Sequence, residues 1–268
     1  MTTKKLGRQT FALACPPSVA GWGSVTGSKE GQGPLGDCFG LVSEDSYFGE
    51  KTWEKAESAM QRLAVSQALE MAGQPTGSLD ALFGGDLNNQ CIATGYAARS
   101  LNVPFFGLYG ACSTMAESTA LAALLLDGGF GEWAGAVASS HFCTAERQFR
   151  SPLELGTQRP PQAQWTATAA GAVALVNDRN TPLHVTYGTI SRVVDRRITD
   201  ANHMGAAMAP AAADTIKAHF EDTAIDFEGL DLVATGDLGY IGREILIELL
   251  EDSGIRVPQG KLIDCGAS

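Results

Sequence analysis

Asp80-Ala-Leu-Phe-Gly-Gly-Asp-Leu87 and Asp231-Leu-Val-Ala-Thr-Gly-Asp-Leu238 are two versions of one pattern, and what surrounds them decides the fold. Each is an apolar run of strand length that closes on glycine and aspartate, with helical periodicity before and after it. Ahead of the first, Lys51 to Ala72 sets Trp53, Ala56, Met60, Leu63, Ala64, Ala68 and Met71 at three-four spacing, which predicts an amphipathic helix. Gly73 and Pro75 mark its end. Behind the first run, Ile92 to Leu101 predicts a helix, and Val103-Pro104 opens a strand that reaches Gly110. The second version repeats this order. Met204 to Phe220 is helical, Leu230 to Thr235 a strand, Ile241 to Glu251 a helix, and Val257-Pro258 leads to a strand at Lys261 to Asp264. The last strand ends on Gly110-Ala-Cys-Ser113 in one copy and Cys265-Gly-Ala-Ser268 in the other. Two matches in order, at similar offsets, predict a duplicated helix–strand–helix–strand unit.

Working outward, Cys112 to Leu126 is apolar almost all the way round, which predicts a helix buried on every side. Trp133 to Ser139, Ala167 to Val176 and Leu183 to Val194 are expected strands. The glycine-rich stretch from Gly21 to Gly40 holds neither an ordered GxGxxG after a strand nor a P-loop lysine, and is expected to be a loop, with Lys29 a weak candidate for a gate or ligand contact. Strands alternating with helices imply an α/β fold whose parallel or mixed sheet is covered on both faces. Its two pseudo-symmetric halves are expected at 1–178 and 179–268. In the first, a long helix follows Ser113; in the second, the chain stops at Ser268. A strand left without its covering helix predicts that the natural protein continues beyond that point.

Composition narrows the function classes. The 268 residues are 44% apolar and 18% charged, ordinary values for a globular core. The formal net charge of −11 repels phosphate backbones and argues against non-specific nucleic-acid binding. It also disfavours a free polyanionic ligand unless a cation or a local basic patch accompanies it. Six cysteines form no CxxC pair and stand at no metal-ligand spacing from the four histidines, so no metal site is expected. No secretory signal is visible, and the longest apolar stretch, Thr119 to Leu126, falls far short of the ~20 residues that span a bilayer. The chain is expected to be soluble and to meet a membrane only through a partner.

Several residues carry chemistry. Cys112 closes a strand and opens a helix, so helix-terminal amides would face its sulfur and favour a nucleophile or an anion site. The competing reading is an inert core cysteine. His141, in Ser139-Ser-His-Phe-Cys143, lies where α/β proteins build sites, or else is a surface-loop histidine. His184, His203 and His219 sit in regular patterns and read as structural. Arg147 and Arg150 suit a carboxylate, with a solvated face as the alternative. Gln164-Trp165-Thr166 offers a stacking platform for a flat ring or a core anchor. Asp86 and Asp237, the matching acids of the repeat, read as helix N-caps, and one of the pair could also face a pocket.

The order helix, strand, Gly-Ala-Cys-Ser, helix in a duplicated half resembles the thiolase superfamily. Lys29-Glu-Gly-Gln-Gly-Pro-Leu-Gly36, Gly49-Glu-Lys-Thr-Trp53, Gly85-Asp-Leu-Asn-Asn-Gln90, Ala98-Arg-Ser-Leu101, Gly107-Leu-Tyr-Gly-Ala-Cys-Ser-Thr114 and Ala163-Gln-Trp-Thr166 are similar, more narrowly, to the stage V sporulation AD family. The resemblance runs from about Thr10 to Ser268. It implies a layered αβαβα architecture and, in spores, binding of pyridine-2,6-dicarboxylate (dipicolinic acid), often as its calcium complex. It also implies an assembly of partner subunits that moves dipicolinate across the inner spore membrane, where the chain would be peripheral. Homodimerisation is a further implication. The superfamily's nucleophile position falls on Cys112. Condensing enzymes usually carry a histidine in the turn after the strand matched by Leu232 to Gly236; here that turn reads Thr235-Gly-Asp237. Three readings follow: a non-enzymatic dipicolinate binder using Cys112, His141, Arg147, Gln164, Trp165 and Asp237; an acyl-transfer enzyme with Cys112 as nucleophile; and a structural subunit with a vestigial pocket.

Overall fold

The structure is a computed structural model that describes residues 4–149, 162, 164–178, 180–200 and 203–267. Arg150, Ala163 and Ser268, which entered the motifs above, lie outside the described residues.

The chain opens with a short antiparallel pair, β1 (Lys5–Leu6) and β2 (Thr10–Ala12). Then comes β3 (Ser18–Gly27), ten residues long, and a single helical turn, α1 (Ser28–Gly31). The expectation of a loop from Gly21 is therefore corrected: its first seven residues are the last seven of the ten in β3. Gly21 and Gly23 hid it, because glycine depresses any strand signal. They are there because a Cβ at either position would stand 2.1 Å from a carbonyl oxygen, that of Ala68 or Ala64. Both carbonyls belong to α2 (Trp53–Met71), which lies directly on β3.

After β4 (Leu41–Ser43) and α2 come β5 (Ala81–Gly85), α3 (Ile92–Leu101) and β6 (Phe105–Gly107). Then follow α4 (Thr114–Asp127), β7 (Trp133–Ser140), α5 (Phe142–Phe149) and β8 (Ala169–Val176). These strands form one mixed sheet in the order β4-β3-β8-β7-β5-β6, with β7, β5 and β6 parallel and β8 antiparallel to both β3 and β7. Side chains alternate across the pleat. Leu82, Val137, Ala172 and Ala174 join Met60, Ala64, Ala68, Ala98 and Leu101 in the core under α2 and α3. The opposite parity, including Ala134, Ala136 and Leu175, lies on the side of α4.

α4 does not bear out a helix buried on every side: Thr114, Ser118, Ala122, Ala123 and Leu126 are buried, while Leu124 is exposed. Its small residues let it approach the sheet closely, which mimics all-round apolarity in a pattern count. The stripe read on α2 also shifts. Met71 is exposed, and the buried face runs through Ala56, Glu57, Met60, Gln61, Ala64, Val65, Ala68 and Leu69.

The strand expected from Leu183 to Val194 shrinks to β9 (Tyr187–Thr189), preceded by an isolated bridge at His184. β9 pairs with β2. α6 (Met204–Thr223), β10 (Val233–Thr235), α7 (Gly239–Glu251) and β11 (Leu262–Asp264) complete the chain. β10 and β11 are parallel neighbours, as β5 and β6 are, and each pair is followed by a 3-10 turn, at Cys265–Ala267 and Ala111–Ser113. The duplicated order read in the sequence is thus present element by element.

Contacts group the chain into two units. One comprises Met1–Ala12, Leu155–Trp165 and Tyr187–Ser268; the other comprises Leu13–Glu154 and Thr166–Thr186. In the first, Ala209, Ala213, Phe227, Leu238, Leu246, Leu250 and Leu262 form the core. There Asp222 of α6 accepts the backbone N–H groups of Arg8, Gln9 and Thr10 at 2.8–2.9 Å, which ties the β1–β2 turn to the helix. Among the described residues no helix is long and apolar enough to cross a membrane.

Candidate functional site

Because β5, β6 and β7 are parallel, their C-terminal ends open at one edge of the larger unit's sheet, where α/β folds hold ligands. Three connections leave that edge. The first runs from Asp86 into α3, the second from Leu108 through Cys112 into α4, and the third from His141 into α5.

The Cys112 connection is a sharp turn. Ala111 adopts φ +50°, a left-handed conformation that a residue with a Cβ rarely takes, and Ser113 N–H closes the turn on Gly110 O at 3.1 Å. Cys112 is exposed, two residues ahead of the first residue of α4. The N-cap Ser113 spends its hydroxyl on Gly110 O (2.8 Å) and does not itself cap α4. Thr114 N–H, the first amide of α4, closes the preceding 3-10 turn on Ala111 O, and the acidic Glu117 stands in the first turn of the helix.

His141 is not a surface-loop residue. It is 1% exposed, with Nε2 2.9 Å from Ser46 O and Nδ1 accepting Cys143 N–H at 3.2 Å. That pair of bonds specifies a neutral ring protonated on Nε2. Burial also pushes its pKa below the ordinary histidine range. Arg147 lies on the surface, paired with Glu54 and with its guanidinium 5.6 Å from the Trp53 ring centre; Trp53 in turn stacks on Tyr47 at 6.1 Å.

In the smaller unit, Gln164 is buried and donates from Nε2 to Asp237 O, while Trp165 is 45% exposed. The N-cap expectation holds in function for one acid of the repeat and fails for the other. Asp86 accepts Thr94 N–H, the third amide of α3, at 2.8 Å and Asn88 N–H at 2.9 Å. For α7 the acceptor is Asp264, at the end of β11, which takes the N–H groups of Leu238 and Gly239, both at 2.9 Å. Asp237 is no cap, because the neighbouring strand already brings a buried carboxylate to that helix start. The six expected ligand residues therefore divide by unit: Cys112, His141 and Arg147 in the larger, Gln164, Trp165 and Asp237 in the smaller.

Beneath the strand-end connections lies a buried polar network that the sequence reading did not find. Glu57 of α2 is fully buried and accepts from Ser139 Oγ (2.8 Å), Asn88 Nδ2 (2.9 Å) and Thr144 Oγ1 (3.1 Å). Gln61 Nε2, one turn on, has two hydrogens to share among Ser139 Oγ (2.7 Å), Thr94 Oγ1 (2.9 Å) and Gly85 O (3.2 Å). Thr94 Oγ1 donates to Asp86 Oδ2 at 2.6 Å. Burial, with the Asp86 charge behind it, raises the Glu57 pKa to about 7. A glutamate and a glutamine one helical turn apart, on a face built mostly of alanine with Met60, Val65 and Leu69, were the available signal.

A mixed α/β chain with a duplicated strand pair and a cysteine at the turn into α4 has the features of a thiolase-like fold, and solved structures agree on the fold. OleA of Xanthomonas campestris with bound cerulenin superposes with a TM-score of 0.65 over 96% of this chain and 84% of that one, at 14% identity. A variant of that protein with bound lauric acid and lauroyl-CoA gives 0.62 over 98% and 86%, at 15% identity. At such identities the likeness speaks for fold alone. The sequence profile of the Stage V sporulation protein AD (SpoVAD) family matches residues 7–268. Stage V sporulation protein AD of Bacillus subtilis (strain 168) is 42% identical over 263 residues, covering 98% of this chain and 77% of that protein. The chain belongs to the stage V sporulation protein AD family, and this membership supports a role in sporulation.

Proposed function

We propose that this protein is a non-enzymatic binder of dipicolinate, as the dianion or its calcium chelate, acting in spores beside other subunits of a dipicolinate-moving assembly at the inner membrane. One observation carries the non-enzymatic half. All four histidines are engaged: His141 with Ser46 O and Cys143 N, His184 with Ser18 Oγ, His203 with Ala206 N, and His219 with Thr189 Oγ1. A cysteine nucleophile needs a base within hydrogen-bond reach, and the turn after β10, Gly236-Asp237, carries no histidine. The binding half is supported by family membership and by the start of α4 beside exposed Cys112, where the helix dipole favours a carboxylate. Arg147 remains the polar candidate of the larger unit; taken by itself, the smaller unit offers Trp165, an exposed ring of the kind that stacks on a flat heteroaromatic, with Gln164 and Asp237 as its polar candidates.

Isothermal titration of the protein with dipicolinate, with and without calcium, is the test. One-site heat that weakens at least tenfold in Cys112→Ala supports the reading. No heat under either condition rejects it. Stoichiometric labelling of Cys112 by acyl-CoA would instead establish the acyl-transfer reading, which the cysteine turn and the thiolase-like fold keep in view.

A further inference from the structure

We infer that His141 is a proton-operated helix cap: its neutral ring holds the start of α5 and the loop at Ser46 against each other, and protonation of the ring releases both. This goes beyond the binding reading and does not depend on it.

The hydrogen bonds carry the inference. His141 stands where an N-cap stands, because its carbonyl accepts Ala145 N–H at 3.0 Å and its ring Nδ1 accepts Cys143 N–H at 3.2 Å. Serine, threonine, aspartate and asparagine usually fill that position, and none of them loses its acceptor near neutral pH. A ring nitrogen does. On the other side of the same ring, Nε2 donates to Ser46 O at 2.9 Å and ties down the loop of residues 44–50. Within that loop Asp45 accepts the N–H groups of Tyr47 and Gly49 at 2.9 and 2.8 Å, so it can part from His141 as one piece.

Protonation places a hydrogen on Nδ1, facing Cys143 N–H. Two donors then oppose each other, and turning the ring out of that clash carries Nε2 off Ser46 O. The charge also arrives at the N-terminal end of α5, where the helix dipole is positive. Against this, two carboxylates face the ring, Glu54 of α2 and Glu30 of α1, and both favour the charged form, as does the Ser46 carbonyl. Burial outweighs them and holds the ring below the ordinary histidine value. On α5 itself, burial pushes the Cys143 thiol up, so it stays neutral. Arg147, toward the far end of α5, is paired with Glu54 and lies over Trp53. That contact does not pass through the ring, so the release is confined to the first turn of α5 and the loop.

The sign follows from linkage. The unfolded value is 6.5 and the closed state lies below it. Above 6.5 neither state holds the proton, and closure is at full strength. As pH falls below 6.5 the open state takes the proton first, so closure weakens, levelling off below the folded value.

Hydrogen exchange of the whole protein, corrected for the intrinsic rate at each pH, reads this. From about pH 7.5 to about pH 5, the amides of 142–146 and 44–50 should open at least about three-fold more often, while β3 and β8 stay unchanged. His141→Asn keeps a cap acceptor that does not titrate, so its 142–146 amides should show no such rise. A rise that persists in His141→Asn would overturn the inference, and so would no rise in wild type. The titration of the wild-type ring, followed by NMR, needs no variant. Its midpoint should lie below 6.5 and track the exchange rise; a midpoint at or above 6.5 would also overturn the inference. Dipicolinate titration can fail without touching any of these results.

Discussion

At the scale of single residues, this chain uses carboxylates as structural acceptors at least as much as surface charges. Asp86 and Asp264 each collect several donors at a helix start, and Asp222 collects three consecutive backbone amides. Asp86 is 1% exposed, and Asp86→Ala strands Asn88 N–H, Thr94 N–H and the Thr94 hydroxyl in a dry site. We expect a loss on the order of 2–4 kcal/mol, read as a drop in the urea midpoint at unchanged slope. A loss below about 0.5 kcal/mol would mean that water replaces the carboxylate there. Asp222 is the half-buried case. The backbone donors of Arg8 and Gln9 depress its pKa to about 2, so its contribution is present above the ordinary carboxylate value and disappears as pH falls through about 2. Asp222→Asn should lower the melting temperature near neutrality, and the gap to wild type should close as pH falls through about 2, which flattens the acid limb. An unchanged acid limb would remove Asp222 from the account of the N-terminal turn. Aspartates after short strands invite reading as caps, and the sequence alone could not separate Asp237 from Asp264. Only the pairing of β10 with β11 shows which of them reaches the α7 amides.

At the scale of elements, the long helices, the apolar strands and the repeat were legible because periodicity and glycine punctuation both survive in sequence. What stayed hidden depended on contacts between distant elements. β3 is unreadable because Gly21 and Gly23 answer to α2, not to strand propensity. Glu57 and Gln61 look like solvent-facing positions until Ser139, Thr94 and Asn88 are brought to them by the sheet. Cys112 was legible as a turn cysteine, whereas the left-handed Ala111 beside it was not. The β3–α2 approach makes a sharp prediction. Gly21→Ala and Gly23→Ala each place a methyl 2.1 Å from a helix carbonyl oxygen, and backbone on both sides leaves no flexible atom to move. Each should cost on the order of 3 kcal/mol or more, whereas Gly171→Ala on the neighbouring β8, where a Cβ meets nothing within 4 Å, should cost under about 1 kcal/mol. Equal losses at Gly21 and Gly171 by thermal denaturation would contradict the close approach.

At the scale of the whole molecule, the net charge of −11 becomes a statement about which form of a dicarboxylate the protein receives. A field of that sign opposes a dianion and is indifferent to a neutral calcium chelate. The opposition is long-range, so salt removes it: the screening length falls from about 30 Å at 0.01 M to about 8 Å at 0.15 M. The dipole at the start of α4 acts only within the first turn, at contact distances inside the screening length at either salt level. On the binding reading, the affinity for free dipicolinate should therefore rise as salt increases from about 0.01 M to about 0.15 M, by a factor on the order of two to ten. The affinity for the calcium chelate should change by less than about twofold over the same range. Paired calorimetric titrations at the two salt levels measure both. The opposite trend, with free dipicolinate bound more tightly at low salt, would mean that a local cationic patch outweighs the molecular field. Arg147, which Glu54 already partners, would then have to be released from that pair to supply it.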